Sequence, residues 1–559
     1  MWITSIFKKW DSVLFCFLKN PRAQPGCQQA AIALHLATGT KWRSPNAVPA
    51  NQMPNAPTEH AASKACAATS SHGRLIEVLD ALVRRADGEA WGVRELANEL
   101  EQSRSTVNRI LVALVERDFA VEEGVGKYRV GPRFRVLMHA LNRRSALLDT
   151  ARQLLDDLAQ SARQAAVLSV YAPHVNGYYI LHCGEAPANL FFRPKRGNRF
   201  PLAFGDIGRG FSEYLRTHPC SEEVPPQRIP LEPPRGIAEI EFPTAVSMVV
   251  RQLAPGLLIL VSLHELGGVE AKVRNTAQAV LEQIADRLAQ TVGVSSDAGP
   301  EVVSDGDSSI VARLEGLLQL VCAEPNGYAC GSGMAAQLHC NAATARKIMD
   351  SAMLERLIHS DGQAIHPSAR LYRWAALLSN ETHSPVKLCK AIVDALVKET
   401  GETIAYLSFD RATAKAQFLT VVQGWRPIQY QLETGVDVPL YAGGAGKAVL
   451  AHLPAAFAEG LKLEKLTDAT ITSHAKLQAD LQSIRDRGWS MGDGERVLGA
   501  FGIGVPFFID GHVAGSISAT IPQYRKEDCD IPSLVESMRL ASERIGRLLS
   551  VGAVGRFVP

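Results

Sequence analysis

At 559 residues the chain is several times longer than one compact domain, so several domains are expected. Its 46% hydrophobic, 21% charged and 6% aromatic composition is that of a soluble globular protein. Lys and Arg number 59 against 57 acidic residues, which excludes a surface coated in basic charge but not one small basic reading face. The ten cysteines are scattered and form no C-x-x-C pair, which argues against a zinc ribbon or disulfide scaffold and suits a reducing cytoplasm.

Residues 1–70 read as a disordered leader. Lys8, Lys9 and Asp11 interrupt the opening apolar stretch, leaving it too short for a membrane span and poorly built for a signal peptide. Residues 46–68 are rich in Pro, Ala, Asn and Ser without periodicity. Met53 is a candidate start, and the leader is assigned no function.

Helical periodicity begins at His72. Leu75, Val78, Leu79 and Leu82 line one face of a first helix, and Val93, Leu96, Ala97 and Leu100 mark a second. After the polar turn Glu101-Gln102-Ser103, Val107, Ile110, Leu111 and Leu114 mark a third. Two short β-type runs around Glu123-Gly124-Val125-Gly126 then predict a hairpin wing. In the third helix the outward set is Ser103, Arg104, Ser105, Thr106, Asn108 and Arg109. A helix of this kind fits the major groove, where Arg pairs with guanine, Asn with adenine, and Ser or Thr hydroxyls suit phosphates. Ser103 is also placed to cap the helix, and Lys127 and Arg129 lie on the wing. The alternative at this point is a purely structural three-helix subdomain with a solvated polar face.

Strand-like runs follow at 166–171, 178–182 and 257–263, with a closing helix over 271–291. Residues 293–308, rich in Gly, Ser and Asp, read as a linker. The pattern then restarts. MAAQLHCNAATARKIM aligns without gaps on LANELEQSRSTVNRIL, which puts Asn341, Thr344, Arg346 and Lys347 on a second polar face. The second wing region, SDGQAIHPSARLYRW, is less regular, and a packing remnant stays open as its reading. Farther on, runs at 501–508 and 512–521 flank the hairpin dipeptide Asp510-Gly511.

The segments GRLIEVLDALVRR, VRELANELEQSRSTVNRILVALVERDFAVEE and KYRVGPRF resemble the IclR family of bacterial transcription regulators, as do VDVPLYAGGAGKAVLAHLP and the stretch 467–522. The likeness runs from about Gly73 to the C-terminus and implies a winged helix-turn-helix for operator DNA, a linker helix, and a GAF-like effector domain, in chains that dimerise and often tetramerise. The expected fold is therefore α+β: two winged helix-turn-helix domains, each followed by a GAF-like α/β domain with a mainly antiparallel sheet. The expected segments are a leader 1–70, a winged domain 71–132, a linker helix 133–150, a shortened effector domain 151–292, a linker 293–308, a second, divergent winged domain 309–375 and an effector domain 376–559.

Carried over position by position, the resemblance implies an effector pocket formed by Gly444, Ala445, Asp493, Glu495, Ile503, Val505, Ser518 and Thr520, with Gly443, Gly444 and Gly446 admitting a ligand close to the backbone. In the first half Gly208-Arg209 parallels Gly446-Lys447, but a Pro-rich stretch replaces the Thr-rich segment and acidic turn, so this shortened pocket would bind nothing or a different ligand. No phosphate-binding loop, H-E-x-x-H pair or nucleophile elbow occurs, so no catalytic residue, metal or cofactor is expected. The chain is thus expected to be a cytoplasmic, ligand-responsive DNA-binding regulator of a catabolic operon, sensing a small organic or aromatic acid. It would act as a dimer or as a tandem monomer mimicking one, on a palindromic operator. The alternative is a sensor or enzyme whose helical domains serve only protein–protein contacts.

Overall fold

The computed structural model describes residues 70–86, 88–186, 192–218, 242–266, 268–292, 309–329, 334–378, 385–428 and 430–551. The proposed leader up to Thr69, the linker 293–308 and the Pro-rich stretch 219–241 lie outside the described residues. The described residues form one compact unit.

The first subdomain comprises α1 (Ser71–Arg84), β1 (Trp91–Gly92), α2 (Val93–Glu99), α3 (Arg104–Glu116), β2 (Ala120–Glu122) and β3 (Lys127–Val130), its strands ordered β1-β3-β2. The predicted apolar faces are its core: Leu75, Val78, Leu79, Leu96, Val107, Leu111 and Leu114 are all buried. The expected single linker helix is instead two, α4 (Pro132–Arg144) and α5 (Ala146–Ala162). Ser145 separates them, ending one and capping the next through Leu148 N (3.4 Å).

An α/β domain follows: β4 (Ala165–Ala172), β5 (Gly177–Gly184), β6 (Arg199–Pro201), α6 (Gly205–Thr217), β7 (Ala245–Ala254), β8 (Leu257–His264) and α7 (Ala271–Ala289), with an antiparallel sheet ordered β6-β5-β4-β8-β7.

The next subdomain contains α8 (Ile310–Ala323), β9 (Tyr328–Ala329), α9 (Met334–Gln337), α10 (Ala342–Leu354), β10 (Ile358–Ser360), β11 (Ala364–Pro367) and α11 (Ala369–Leu378). Its sheet, β10-β11-β9, runs in the same relative order as β2-β3-β1. The backbone details recur as well. Glu101 and His339 both take positive φ, as do Asp118 and Arg356. Gln102 N donates to Ala97 O and Cys340 N to Ala335 O, each at 2.9 Å. Phe119 N reaches Leu114 O at 2.8 Å and Leu357 N reaches Ala352 O at 2.9 Å.

The C-terminal domain holds α12 (Pro385–Thr400), β12 (Thr403–Asp410), β13 (Lys415–Val422), α13 (Gly444–Leu450), α14 (Ala455–Glu459), α15 (His474–Arg487), β14 (Ser490–Asp493), β15 (Ala500–Ile509), β16 (His512–Pro522) and α16 (Ile531–Leu549). Its sheet is antiparallel, ordered β13-β12-β16-β15-β14. Asp510 and Gly511 both take positive φ, the conformation that a two-residue hairpin of the sheet's twist demands. One face of the sheet packs on α12 and α16 through Ile503, Val505, Ile517, Ile545 and Leu548. The other packs on α13.

Candidate DNA-reading face and effector cavity

The predicted polar face of α3 is outward. Arg104, Ser105, Asn108 and Arg109 are exposed, while Thr106 is half-buried. Ser103 is exposed too, but its hydroxyl is spent as the N-cap on Thr106 N (3.2 Å) and also meets the hydroxyls of Ser105 and Thr106. On the wing Lys127 is exposed, whereas Arg129 is tied to Glu123. The wing tip is fully open, with Val125 projecting between two positive-φ glycines.

On α10, Arg346 and Lys347 are exposed and Thr344 is half-buried. Asn341 caps the helix at Thr344 N (2.8 Å), as Ser103 caps α3. The hairpin that follows α10 is chemically different. Its register sets Ala364, buried, where β3 carries Lys127, and its tip bears Asp361. Backbone N–H groups of Ala364 and Gln363 hold that carboxyl down to about 2, so it is an anion at neutral pH.

In the C-terminal domain α13 starts on a strip of glycines. A Cβ on Gly504 would lie 2.3 Å from Gly444 O, and one on Gly492 would lie 2.4 Å from Gly443 Cα. The glycine loop therefore serves first to seat a helix on the sheet, a role other than the predicted close approach to a ligand. Ser490 Oγ donates to Gly444 O and Ser516 Oγ to Ala445 O (2.9 Å). Lys447, buried, donates to Asp480 (2.7 Å) and Glu495 (2.6 Å). The second oxygen of Glu495 accepts from Gly443 N (2.9 Å). Thr467 and Thr470 pin the acidic turn by donating to Gly494 O and Glu495 O, each at 2.7 Å.

Against this loop lies a cavity of about 60 Å³. Of the predicted pocket residues, Gly444, Ala445, Glu495, Ser518 and Thr520 line it. Ile503 and Val505 do not. Strand side chains alternate faces, so Gly502 and Gly504 turn toward α13 while Ile503 and Val505 enter the core beneath α12 and α16. Asp493 is also drawn elsewhere, accepting from Gln523 (2.6 Å) and Lys526 (2.9 Å).

Two groups in the wall are chemically open. Ser518 Oγ is buried with no hydrogen-bond partner among the described residues. Arg496 lies 5.1 Å over the Phe418 ring and has no carboxylate partner among the described residues. Burial lowers its pKa from the ordinary arginine value, so a counter-anion there would be stabilised. Sequence reasoning missed Arg496, Phe418 and Leu432. Arg496 directly follows the noticed Glu495, but Phe418 and Leu432 enter the wall only because β13 folds beside β12.

The corresponding region of the first α/β domain is filled. A Cβ on Gly208 would lie 2.3 Å from Leu202 O, as one on Gly446 would lie 2.4 Å from Pro439 O, so α6 sits as α13 does. Phe242 stacks edge-on against Phe192, Phe200 and Phe204 at 5.0–5.2 Å and stands 3.7 Å from a Cβ built on Gly205. Arg209, at the position of Lys447, is exposed and paired with Asp206 (2.5 Å).

A winged helix-turn-helix joined to antiparallel α/β domains, one with a cavity beside a helix-seating glycine loop, defines a class of DNA-binding proteins with attached ligand domains. Residues 72–124 match the model of the IclR helix-turn-helix domain, and residues 382–547 match that of the bacterial transcriptional regulator IclR C-terminal domain. These two segments are therefore of the IclR type. The chain is similar to the HTH-type transcriptional regulator BhcR of Paracoccus denitrificans, 29% identical over 194 residues (33% of this chain, 67% of that protein). It is also similar to the transcriptional repressor IclR of Escherichia coli, 26% identical over 182 residues (32% and 66%). Each match spans about two thirds of the relative's length. Among solved structures, an IclR homologue from Microbacterium hydrocarbonoxydans complexed with 4-hydroxybenzoate is 18% identical, covering 43% of this chain and 99% of its own, with a TM-score of 0.28. An IclR-type regulator from Silicibacter sp. gives 17% identity, 43% and 96% coverage and a TM-score of 0.35.

Proposed function

We propose that the chain is a ligand-responsive transcription regulator in which one polypeptide carries two winged helix-turn-helix heads and two GAF-like domains. The observation that carries this is the exposed Arg104, Asn108 and Arg109 on a short capped helix beside an open wing with Lys127. The repeated caps, positive-φ positions and wing order of the second subdomain support a tandem arrangement standing in for a dimer. Head-to-head packing would then occur within one chain, and further self-association would be of such chains. Ser105 and Thr106 would serve the phosphates flanking the bases read by Arg104, Asn108 and Arg109, with Ser103 fixing the start of the helix as its cap. Arg129, Asn341, Thr344, Arg346 and Lys347 would join them in contacting the DNA.

The effector is a small organic acid. Its carboxylate would meet Arg496, a second polar atom would meet Ser518, and Gly444, Ala445, Glu495 and Thr520 would complete the wall. A relative crystallised with 4-hydroxybenzoate is in keeping with this chemistry. Ligand occupancy would shift the population of head placements and so alter operator affinity, in the cytoplasm where the DNA lies. The target is a catabolic operon, tested first as the DNA upstream of neighbouring genes. Among the described residues no helix is long and apolar enough to cross a membrane.

The test is binding of the full chain to that DNA at several salt concentrations. Arg104→Ala or Arg109→Ala is expected to cost about 1–3 kcal/mol of specific binding. Lys127→Ala is expected to weaken binding to every sequence and flatten the salt slope. A wild-type chain with no salt-dependent affinity for DNA would instead favour heads that only hold proteins together.

A further inference from the structure

The two heads of the chain are packed on each other through buried ion pairs between unlike positions. Arg133 on α4, 1% exposed, donates to Glu315 on α8 at 2.7 Å. Ser70 and Ser309 cap α1 and α8 alike, so the first head carries Ile76 at the position of Glu315. Asp80 on α1, also buried, accepts from Arg373 (2.6 Å) and from Trp374 Nε1 (2.8 Å) on α11. The starts of α4 and α11 correspond too, since Arg135 N reaches Gly131 O and Tyr372 N reaches Ser368 O. The first head therefore has Val136 and Leu137 where the second has Arg373 and Trp374. Pairing two first heads from two chains would bury Arg133 against an isoleucine and take from Asp80 both donors from α11, leaving it Arg199 of β6 and Arg84 of its own helix. A buried charge that loses its carboxylate partner, as Arg133 would, is strongly disfavoured.

The two reading helices, meanwhile, are not copies. Arg104, Ser105 and Asn108 on α3 correspond to Ala342, Ala343 and Arg346 on α10, all exposed. Val112 corresponds to the exposed Asp350. An alanine methyl meets a thymine methyl, whereas arginine and asparagine seek hydrogen-bonding base edges.

Resting on the regulator reading above, we infer that the DNA-reading pair is one α3 and one α10 of the same chain, so that the operator is a two-part site without inversion symmetry. This departs from the palindrome expected of a symmetric pair. The α3 half-site carries the hydrogen-bonded base contacts and the wing contact of Lys127. The α10 half-site differs in sequence and has an anionic wing tip beside it.

The test is selection of binding sites from randomised duplexes by the full chain, followed by affinity and stoichiometry on three duplexes: the selected site and the two palindromes made from its halves. The expected result is a consensus lacking inversion symmetry, occupied by one chain, with the α3 palindrome bound roughly tenfold or more weakly. The variant Ala342→Arg, Ala343→Ser, Arg346→Asn, Lys347→Arg gives both helices the α3 face, and is expected to shift preference to the α3 palindrome. Should that variant misfold, Arg104→Ala and Arg346→Ala are expected to relax specificity in opposite half-sites. A palindromic consensus occupied by two chains, or two single variants that relax the same half-site, overturns the inference while leaving DNA binding intact. Equal binding to all duplexes overturns the regulator reading instead.

Discussion

Arg544, on the last helix of the C-terminal domain, closes a bidentate pair with Asp118 of the first head, at 2.5 and 3.2 Å. The same helix end offers its Leu548 and Ser550 carbonyls to Arg133. The outer face of the sheet that builds the effector cavity thus packs on a helix whose tail grips the DNA-reading head.

The Arg133–Glu315 bridge is buried on both sides, at 1% and 4% side-chain exposure. Glu315→Leu alone would leave Arg133 and its neighbour Arg117 facing an apolar group. It is expected to destabilise the chain by about 3–5 kcal/mol, seen as a lower urea midpoint. Removing Arg133 as well, as Arg133→Met with Glu315→Leu, should recover much of that loss. A double variant no better than the single would show that the bridge is not the source.

Ser518→Ala separates ligand recognition from folding. An unpartnered buried hydroxyl costs about 1–3 kcal/mol, so the variant should match or exceed wild-type thermal stability without effector. Its affinity for a carboxylate effector should nevertheless fall. Arg496→Met should reduce that affinity further, roughly ten- to a hundredfold, leaving operator binding without effector unchanged. Calorimetric titration with the effector, beside a DNA shift assay, distinguishes these outcomes.

Gly504→Ala would drive a methyl into Gly444 O. Backbone cannot swing aside as a long side chain can, so α13 must lift off the sheet. The expected cost is about 1–3 kcal/mol, together with loss of the effector response. Gly460→Ala, where a Cβ would meet its neighbours only at ordinary contact distance (3.5 Å), is the control and should do neither.

His359 and His366 face each other directly across the second wing, rings stacked at 5.0 Å. Burial, and then the neighbouring His366, lower His359 to about 4, while Asp361 opposes the shift. The unfolded chain therefore takes up this proton first as pH falls, and stability from His359 is full above about 6.5 and lost between there and about 4. His359→Phe, which keeps a ring in the stack, should flatten the decline of thermal stability across that window relative to wild type. A variant with an unaltered slope would place the titration elsewhere.

Much of the first head was legible from its sequence. Val107, Ile110, Leu111 and Leu114 recur at helical spacing, and burying that stripe necessarily turns Arg104, Asn108 and Arg109 outward. Local turn chemistry was equally readable, as at Asp510-Gly511. The helix α10 was visible for the same reason, because periodicity survives changes in the polar face. Other features depended on contacts between residues far apart in the chain. Ile503 and Val505 alternate with Gly502 and Gly504, but which pair faces the cavity was settled by α13 landing on the glycine side. Arg496 meets the Phe418 ring of β13 only through the folding of the whole sheet. The unlike pairing of Asp80 with Arg373 and Arg133 with Glu315 joins residues hundreds of positions apart, and no local pattern predicts which buried charge another will meet. Periodicity records which side of an element is buried; the partner on that side is a property of the packed whole.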